Sequence, residues 1–361
     1  MLSNPYKNII KVTQERKVFF EAESAQEIWQ DVVSKDADEM KSLCKAMSQL
    51  VYSVGVPKWL VHLSAKLLYS LVYKRWGHYT QESDYLASES SDMSPSLMAF
   101  LQRQYTLAHM GCTVVMAWDE KNEEMLCLRS LDWKGADDIA HATRRFSFVN
   151  AKDEEVAQVA GITAMVGVLT GAKEGFSIAI NYAPWKRSAK FKSDPTFLIR
   201  QLLEDTSVTD YKSAQEKVKA WDVGSPCFIS ICGIRKGEAC VIELGSKNNV
   251  HVREMTEEGF LIQTNHYDLN SSPFTAHNEE PYTEEMSEQE WYESELLENS
   301  QKREKILREK LQQNSNLDMQ HRLIQLYKEV PVLNWETAQW VLMKPKSGEI
   351  DVYACTETSK V

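Results

Sequence analysis

Positive charge is in short supply in this chain of 361 residues: 41 lysines and arginines face 52 aspartates and glutamates, for a formal charge of −11. A nucleic-acid binder needs a basic footprint, so that class is argued against. Histidines number eight, and the seven cysteines fall at no short repeated spacing, so neither a zinc site nor a disulfide framework is expected. Cys44, Cys127, Cys227, Cys232, Cys240 and Cys355 mostly lie in apolar runs and read as free buried thiols. No metal or cofactor is called for. A long uninterrupted apolar run is missing as well. The most apolar stretch, 57–73, is broken by Lys58, His62 and Lys66 and is no membrane span. Met1-Leu2-Ser3-Asn4-Pro5-Tyr6-Lys7 lacks the apolar stretch of a signal peptide, which together with the free thiols points to a cytoplasmic, reducing setting. There is no internal repeat.

What is present is an ordinary globular balance, 43% hydrophobic and 26% charged, in a chain long enough for one large or two modest domains. The first third reads helical. Residues 24–51 run without a breaker, 57–73 start at Pro57, and a third helix has Ser94 as cap, Pro95 in its first turn and Leu97, Leu101 and Tyr105 on one face. The 57–73 helix has two apolar faces, Trp59-Leu63-Leu67-Leu71 and Val61-Leu68-Val72. It is either buried on both sides or leaves one face for lipid or an acyl chain.

From Cys112 the texture changes. Strands are expected at 112–118 and 125–131 around the polar loop 119–123, then at 144–149, 158–169 and 176–181. Helices follow from Asp194-Pro195 and near 211–220, a hairpin at 228–231 and 239–244, and strands at 249–254 and 260–265. A charged helix at 286–312, another at 319–329 and a closing hairpin at 337–343 and 349–355 complete the chain. The Glu-rich stretch 278–298 reads as a solvated surface loop entering the charged helix. Strand runs separated by helix pairs suggest two sheets packed face to face with helices outside, an α+β fold.

Cys112 stands at the change of texture, with Arg129 and Asp132 at the end of the next strand. A lone cysteine is more often a packing residue. If the peptide bond between Gly111 and Cys112 broke, however, one residue would supply both a nucleophilic thiol and a basic α-amine. Their ordinary pKa values, about 7.7–8.0 for the amine and about 8.5 for the thiol, make proton exchange between them nearly isoenergetic. No separate histidine is then needed.

The residues around Cys112 resemble the acid ceramidase and N-acylethanolamine acid amidase group within the choloylglycine-hydrolase superfamily. The family's Cys-Thr start stands here as Cys112-Thr113, and its Arg-Asn-Leu/Met-Asp-aromatic hairpin end as Arg129-Ser130-Leu131-Asp132-Trp133. Val56-Pro57-Lys58-Trp59 is similar to a helix of the amidase's small subunit, and 166–171 with 176–181 to the family's central strand pair. Thr264-Asn265 with Tyr267-Asp268 resembles Thr-Asn-Tyr-Asp, and Pro331-Val332-Leu333-Asn334 a short ceramidase run.

The resemblance implies an αββα N-terminal nucleophile hydrolase sandwich with a helical N-terminal subunit, and self-cleavage into 1–111 and 112–361 that stay together as a heterodimer. It further implies hydrolysis of a linear acyl amide of a fatty acid, such as an N-acylethanolamine or ceramide. Cys112 is then the nucleophile, Arg129 favours its thiolate, Asp132 holds the α-ammonium and Asn265 supplies an oxyanion donor. Arg303 is the late active-site arginine, with Arg308 as competitor; His266 has no obvious role beyond local hydrogen bonding. Trp59, Leu63 and Trp133 are candidates for substrate or lipid contact, and helix 57–73 for peripheral membrane contact. An acylase or acyltransferase of the penicillin-acyltransferase or bile-salt-hydrolase type, and an uncleaved silent acyl-lipid binder, are the alternatives. Ser130, Val114 and Tyr182-Ala183 depart from the family's Asn, Ser and Glu-Arg. These departures bear on pH adaptation and ceramide specificity more than on the core chemistry.

Overall fold

Strands covered on both faces show no polar alternation, and the two runs around Cys112 are of this kind. In the computed structural model, which describes residues 7–53, 56–71, 77–90, 93–103, 111–184, 193–245, 249–275, 278 and 288–357, both are buried at nearly every position. The described elements before them are β1 (Lys7–Lys11), β2 (Glu15–Phe19), α1 (Ala25–Ser53), α2 (Lys58–Leu71), α3 (His78–Glu89) and α4 (Pro95–Gln102). The two runs themselves are β3 (Gly111–Asp119) and β4 (Glu124–Asp132). There follow α5 (Ala136–His141), β5 (Thr143–Val149), β6 (Glu155–Ile162), β7 (Thr170–Lys173), β8 (Phe176–Tyr182), α6 (Pro195–Glu204) and α7 (Tyr211–Lys219). The chain continues with β9 (Cys227–Cys232), β10 (Ala239–Leu244), β11 (Val250–Glu254), β12 (Phe260–Gln263), α8 (Glu288–Gln312), α9 (Met319–Leu326), β13 (Thr337–Lys344) and β14 (Glu349–Glu357).

The strands form two sheets, one ordered β1-β14-β13-β4-β3-β12 and the other β11-β10-β9-β8-β7-β6-β5-β2. Side-chain alternation sends Val114, Met116 and Cys127 of the first sheet inward to meet Ala179, Phe228, Cys232 and Val241 of the second. Val115, Leu126 and Leu128 point outward under Leu307 and Leu311 of α8 and Leu323 and Leu326 of α9. On the other side Ile178, Ile180, Ile229 and Ile231 pack against Trp29 and Val32 of α1 and Ile199, Leu202 and Val218 of α6 and α7. The layers are αββα, as expected.

The helix starts follow their caps. Ser94 Oγ accepts Leu97 N–H, and the Asp194 carboxylate accepts Thr196 N–H, each with proline in the first turn. All seven cysteines are buried and unpaired.

The structure adds two strands to the helical first third. β1 pairs with β14, and β2 runs parallel to β5, so this segment supplies an edge to each sheet. As short edge strands rich in Lys, Arg and Glu they carry no apolar run to betray them. Helices α3 and α5 also went unread. The strand expected over 158–169 ends at Ile162, because Ala164 turns the chain at φ +69° and Gly167 lies against Thr196. A β-carbon on Gly167 would stand 2.2 Å from Thr196 Oγ1. The strand expected to reach 265 stops at Gln263, freeing the next residues for the site, and the helix expected to reach 329 ends at Leu326. In the stretch expected to be a solvated loop, Asn278 is buried and its amide clasps the backbone of Tyr267; 279–287 lie outside the described residues. Tyr105, Val72 and Tyr73 also lie outside them.

Of the two apolar faces of α2, one is packed and one is not. Val61 and Ala65 are buried, while Trp59, Leu63 and Leu67 are 67%, 55% and 58% exposed. Burial on both sides is therefore overturned.

Candidate active site

Antiparallel pairing of β3 with β4 brings Gly111 opposite Asp132, Cys112 opposite Leu131 and Val114 opposite Arg129. This register assembles the candidate residues. Arg129 Nη2 donates to Cys112 Sγ at 3.3 Å and lies equally far from Ile180 O on the facing sheet. Its Nε and Nη1 are buried without a hydrogen-bond partner among the described residues.

Cys112 is completely buried. Burial pushes its thiol pKa up, Arg129 works against that rise, Asp132 adds to it and Arg303 lowers it again. Asp132 is held from β13 and the turn before it: Oδ1 accepts from Thr337 Oγ1 at 2.8 Å and Oδ2 from Asn334 Nδ2 at 3.0 Å.

Asn265, two residues past β12, meets the backbone of the nucleophile. Its Oδ1 accepts Cys112 N–H at 2.8 Å and Arg303 Nη2–H at 2.9 Å, while Nδ2 donates to Tyr182 O at 3.1 Å. Two donors on one side and a carbonyl on the other fix the orientation of the amide. Arg303, on α8, is fully buried; Nη1 donates to Cys112 O and Thr113 Oγ1, both at 2.6 Å, and Nε to Asn299 Oδ1 at 2.7 Å. Its Nη1 lies 3.9 Å from Asp132 Oδ2. Arg308, the competing choice, lies away from the thiol and pairs with Glu258 and Glu304.

All five expected site residues thus converge on the ends of β3, β4 and β12 and on one face of α8. Several supporting residues went unread as such. Tyr327 reaches Leu128 O at 2.7 Å and Thr113 O at 3.1 Å, pinning the hairpin, and Asn181 Nδ2 donates to Gln263 O and Thr264 O, fixing the turn before Asn265. Ser300 accepts Asn265 N–H at 2.6 Å. Asn334 had been singled out only as part of a family-like run; its grip on Asp132 gives that run a physical meaning.

Beside Asp132, Trp133 helps line a small apolar cavity of about 30 Å³ with Leu43, Met47, Met98, Leu101 and Ile162. Cys112 belongs to the same buried cluster as these residues. Trp59 and Leu63 do not line it.

The family model for acyl-coenzyme A:6-aminopenicillanic acid acyl-transferase matches residues 118–335. Acid ceramidase of Balaenoptera acutorostrata scammoni is 22% identical over 283 residues, 69% of this chain and 69% of that protein. Acid ceramidase of Bos taurus is 21% identical over 276 residues, 68% of each. The solved Caenorhabditis elegans N-acylethanolamine-hydrolyzing acid amidase ortholog aligns with a TM-score of 0.50 at 21% identity, covering 65% of this chain and 93% of that one. This likeness shows the shared fold.

Proposed function

Since this chain belongs to the acyl-coenzyme A:6-aminopenicillanic acid acyl-transferase family, within the acid ceramidase-like N-terminal nucleophile hydrolases, we propose that it is a self-processing cysteine amidohydrolase that cleaves a linear fatty-acyl amide. The observation carrying this reading is the convergence of Arg129, Asp132, Asn265 and Arg303 on the thiol and backbone of Cys112.

In the processing step Cys112 Sγ attacks the Gly111 carbonyl carbon, and the peptide C–N bond breaks as the C–S bond forms. The nitrogen leaves with the thiol proton as the free amine of Cys112. Water then hydrolyses the thioester, releasing a Gly111 carboxylate and restoring the thiol. The 1–111 and 112–361 segments remain together, since the first supplies strands to both sheets. Asp132 and Asn265 Oδ1 receive the new α-ammonium through charge-assisted hydrogen bonds.

In turnover the same thiol attacks the substrate amide carbon while the α-amine takes its proton and passes it to the leaving nitrogen. Arg129 favours the thiolate, and the Asn265 amide nitrogen is the donor for the oxyanion; removing such a donor costs about 2.7–4 kcal/mol of transition-state stabilisation. The acyl thioester is then hydrolysed by water. The cavity beside Trp133 is the place for the acyl chain; at about 30 Å³ it must widen to admit one. The exposed face of α2 rests on a lipid surface, from which such a substrate is drawn. Seven unpaired buried thiols support a reducing, cytoplasmic setting.

The family model's name supports a second reading, since a thioester can pass its acyl group to an amine as well as to water. Intact mass of the purified chain tests the processing step. Two fragments meeting at Gly111 and Cys112 are expected, with Cys112→Ala staying whole; a wild-type chain that never cuts sinks the proposal. Palmitate release from an acylethanolamine and a ceramide, with and without an added acceptor amine, separates hydrolysis from transfer. Failure on every amide with retained acyl-lipid binding would instead mark a silent binder.

A further inference from the structure

Behind Asn265 lies a chain of buried polar groups that the chemistry above does not use. Ser300, Arg303 and Glu304 stand at i, i+3 and i+4 on α8 and therefore share a face. Ser300 Oγ accepts Asn265 N–H at 2.6 Å and donates to Thr264 Oγ1 at 2.9 Å. His266 Nδ1 lies 2.8 Å from Ser300 Oγ and 3.0 Å from Thr264 Oγ1, and its Nε2 lies 3.0 Å from Glu304 Oε2. Arg308 Nη2 donates to Glu304 Oε1 at 3.0 Å. His266, Ser300 and Thr264 are all buried.

Donor counting orders this chain. A carboxylate only accepts, so His266 must carry its proton on Nε2 where it faces Glu304. Nδ1 faces the hydroxyls of Ser300 and Thr264 at 2.8 and 3.0 Å, so both ring nitrogens have polar partners and the ring spans from the turn to α8 within one hydrogen-bonded network.

We propose that His266, its Nε2–H held by Glu304, is the positioning residue of this site. It ties the Thr264–Asn265 turn to the face of α8 that carries Arg303. Asn265 Oδ1 and Arg303 both hold the backbone of Cys112, so the register between turn and helix sets where the oxyanion donor stands relative to the thiol. His266 itself touches no reacting atom. Its loss leaves the substrate cavity intact and displaces the donor, which is a transition-state effect rather than a binding one.

The turnover part of the test rests on the proposed amidase activity; the exchange part does not. On an acylethanolamine, His266→Ala is expected to lower kcat by about ten- to a hundredfold with KM moving less than about twofold. His266→Gln, whose amide N–H can still reach Glu304, recovers much of the loss. In the full-length Cys112→Ala chain, backbone amides of 264–267 should exchange with deuterium at least about tenfold faster once His266 is alanine. If wild type hydrolyses no amide, the proposed function falls and exchange alone decides this inference. Unchanged exchange, a loss confined to KM, or equal kcat for alanine and wild type would overturn it. Should His266→Ala fail to fold, Glu304→Gln carries the same measurements.

Discussion

Gly111 and Asp132 face each other across β3 and β4 so closely that a β-carbon on Gly111 would stand 2.9 Å from Asp132 Cβ and 3.1 Å from its Oδ2. Only a hydrogen fits there. The bond proposed to break thus lies directly beside the carboxylate proposed to receive the new amine. Gly111→Ala must displace Asp132 from Thr337 and Asn334 or spread the hairpin, at roughly 1–3 kcal/mol of stability. Self-cleavage should slow by about tenfold or more, a change equivalent to about 1.4 kcal/mol in the barrier. Intact mass over time, with a melting curve, measures both; cleavage at the wild-type rate would mean that the Gly111–Asp132 contact plays no part in it.

A second relationship bears on what would hold the two proposed fragments together. Glu82 of α3 and Arg200 of α6 are both fully buried and paired at 2.6 Å, with Trp29 Nε1 donating to the same carboxylate oxygen. The Arg200 guanidinium carbon lies 4.7 Å from the centre of the Tyr79 ring, whose hydroxyl donates to Glu204. Glu82→Ala leaves the Arg200 charge buried with a weakened set of partners and should cost about 3–5 kcal/mol. Replacing both partners with leucine and methionine should cost less, because no charge is then stranded. Melting temperatures of the single and double variants decide this. In the cleaved protein, gel filtration should show the 1–111 fragment leaving Glu82→Ala more readily.

The layers and the hairpin residues were legible because they are local, whereas Asn265 and Arg303, 153 and 191 residues from Cys112, were expected only through the resemblance to the acid ceramidase group. Cys112, Arg129 and Asp132 come from one hairpin whose register follows from its own loop, and caps at Ser94 and Asp194 announce themselves within four residues. The edge strands were not legible: Lys-Asn-Ile-Ile-Lys gains its conformation from β14, more than 300 residues away in the chain. The same holds for Asn334 on Asp132 and Ser300 on Asn265, contacts made across the fold by residue types common in any turn or helix. Arg303 and Arg308 are alike in sequence. Only the direction of α8 separates the one buried against Cys112 from the one paired with Glu258.

The cavity beside Trp133 makes a prediction about chain length. Met98 lines it from α4 and is buried. Met98→Trp should fill this small space and keep it from widening around the far end of a long acyl chain, each lost methylene contact costing about 0.8 kcal/mol. Relative kcat/KM for palmitoyl over octanoyl amides should therefore fall by at least about tenfold, which excluding two methylenes would supply. An unaltered chain-length preference would place the acyl chain elsewhere.

Helix α2 carries Lys58 and Lys66 but no acidic residue, in a protein of net charge −11, and exposes Trp59, Leu63 and Leu67. An aromatic and two leucines beside two lysines suit an anionic lipid surface. Sedimentation with phosphatidylserine vesicles should capture wild type more strongly than phosphatidylcholine vesicles do. Leu63→Glu with Leu67→Glu should abolish capture while leaving hydrolysis of a short, water-soluble amide unchanged. Equal capture of variant and wild type would refute the lipid contact.

The last prediction concerns acid. Burial opposes the Glu304 carboxylate, yet its hydrogen bond and charge interaction with His266, backed by Arg308, pull its pKa down to about 2. A carboxyl depressed in the folded state contributes stability above its unfolded pKa of about 4.3 and loses it as pH falls toward the folded value. The contribution is on the order of 2–3 kcal/mol at neutral pH. Glu304→Gln should therefore lower the melting temperature by a constant amount above about pH 5, and the gap to wild type should close as pH falls from there toward 2. A gap that stays constant down to pH 2.5 would show that the loss is one of packing and that Glu304 carries no charge in the fold.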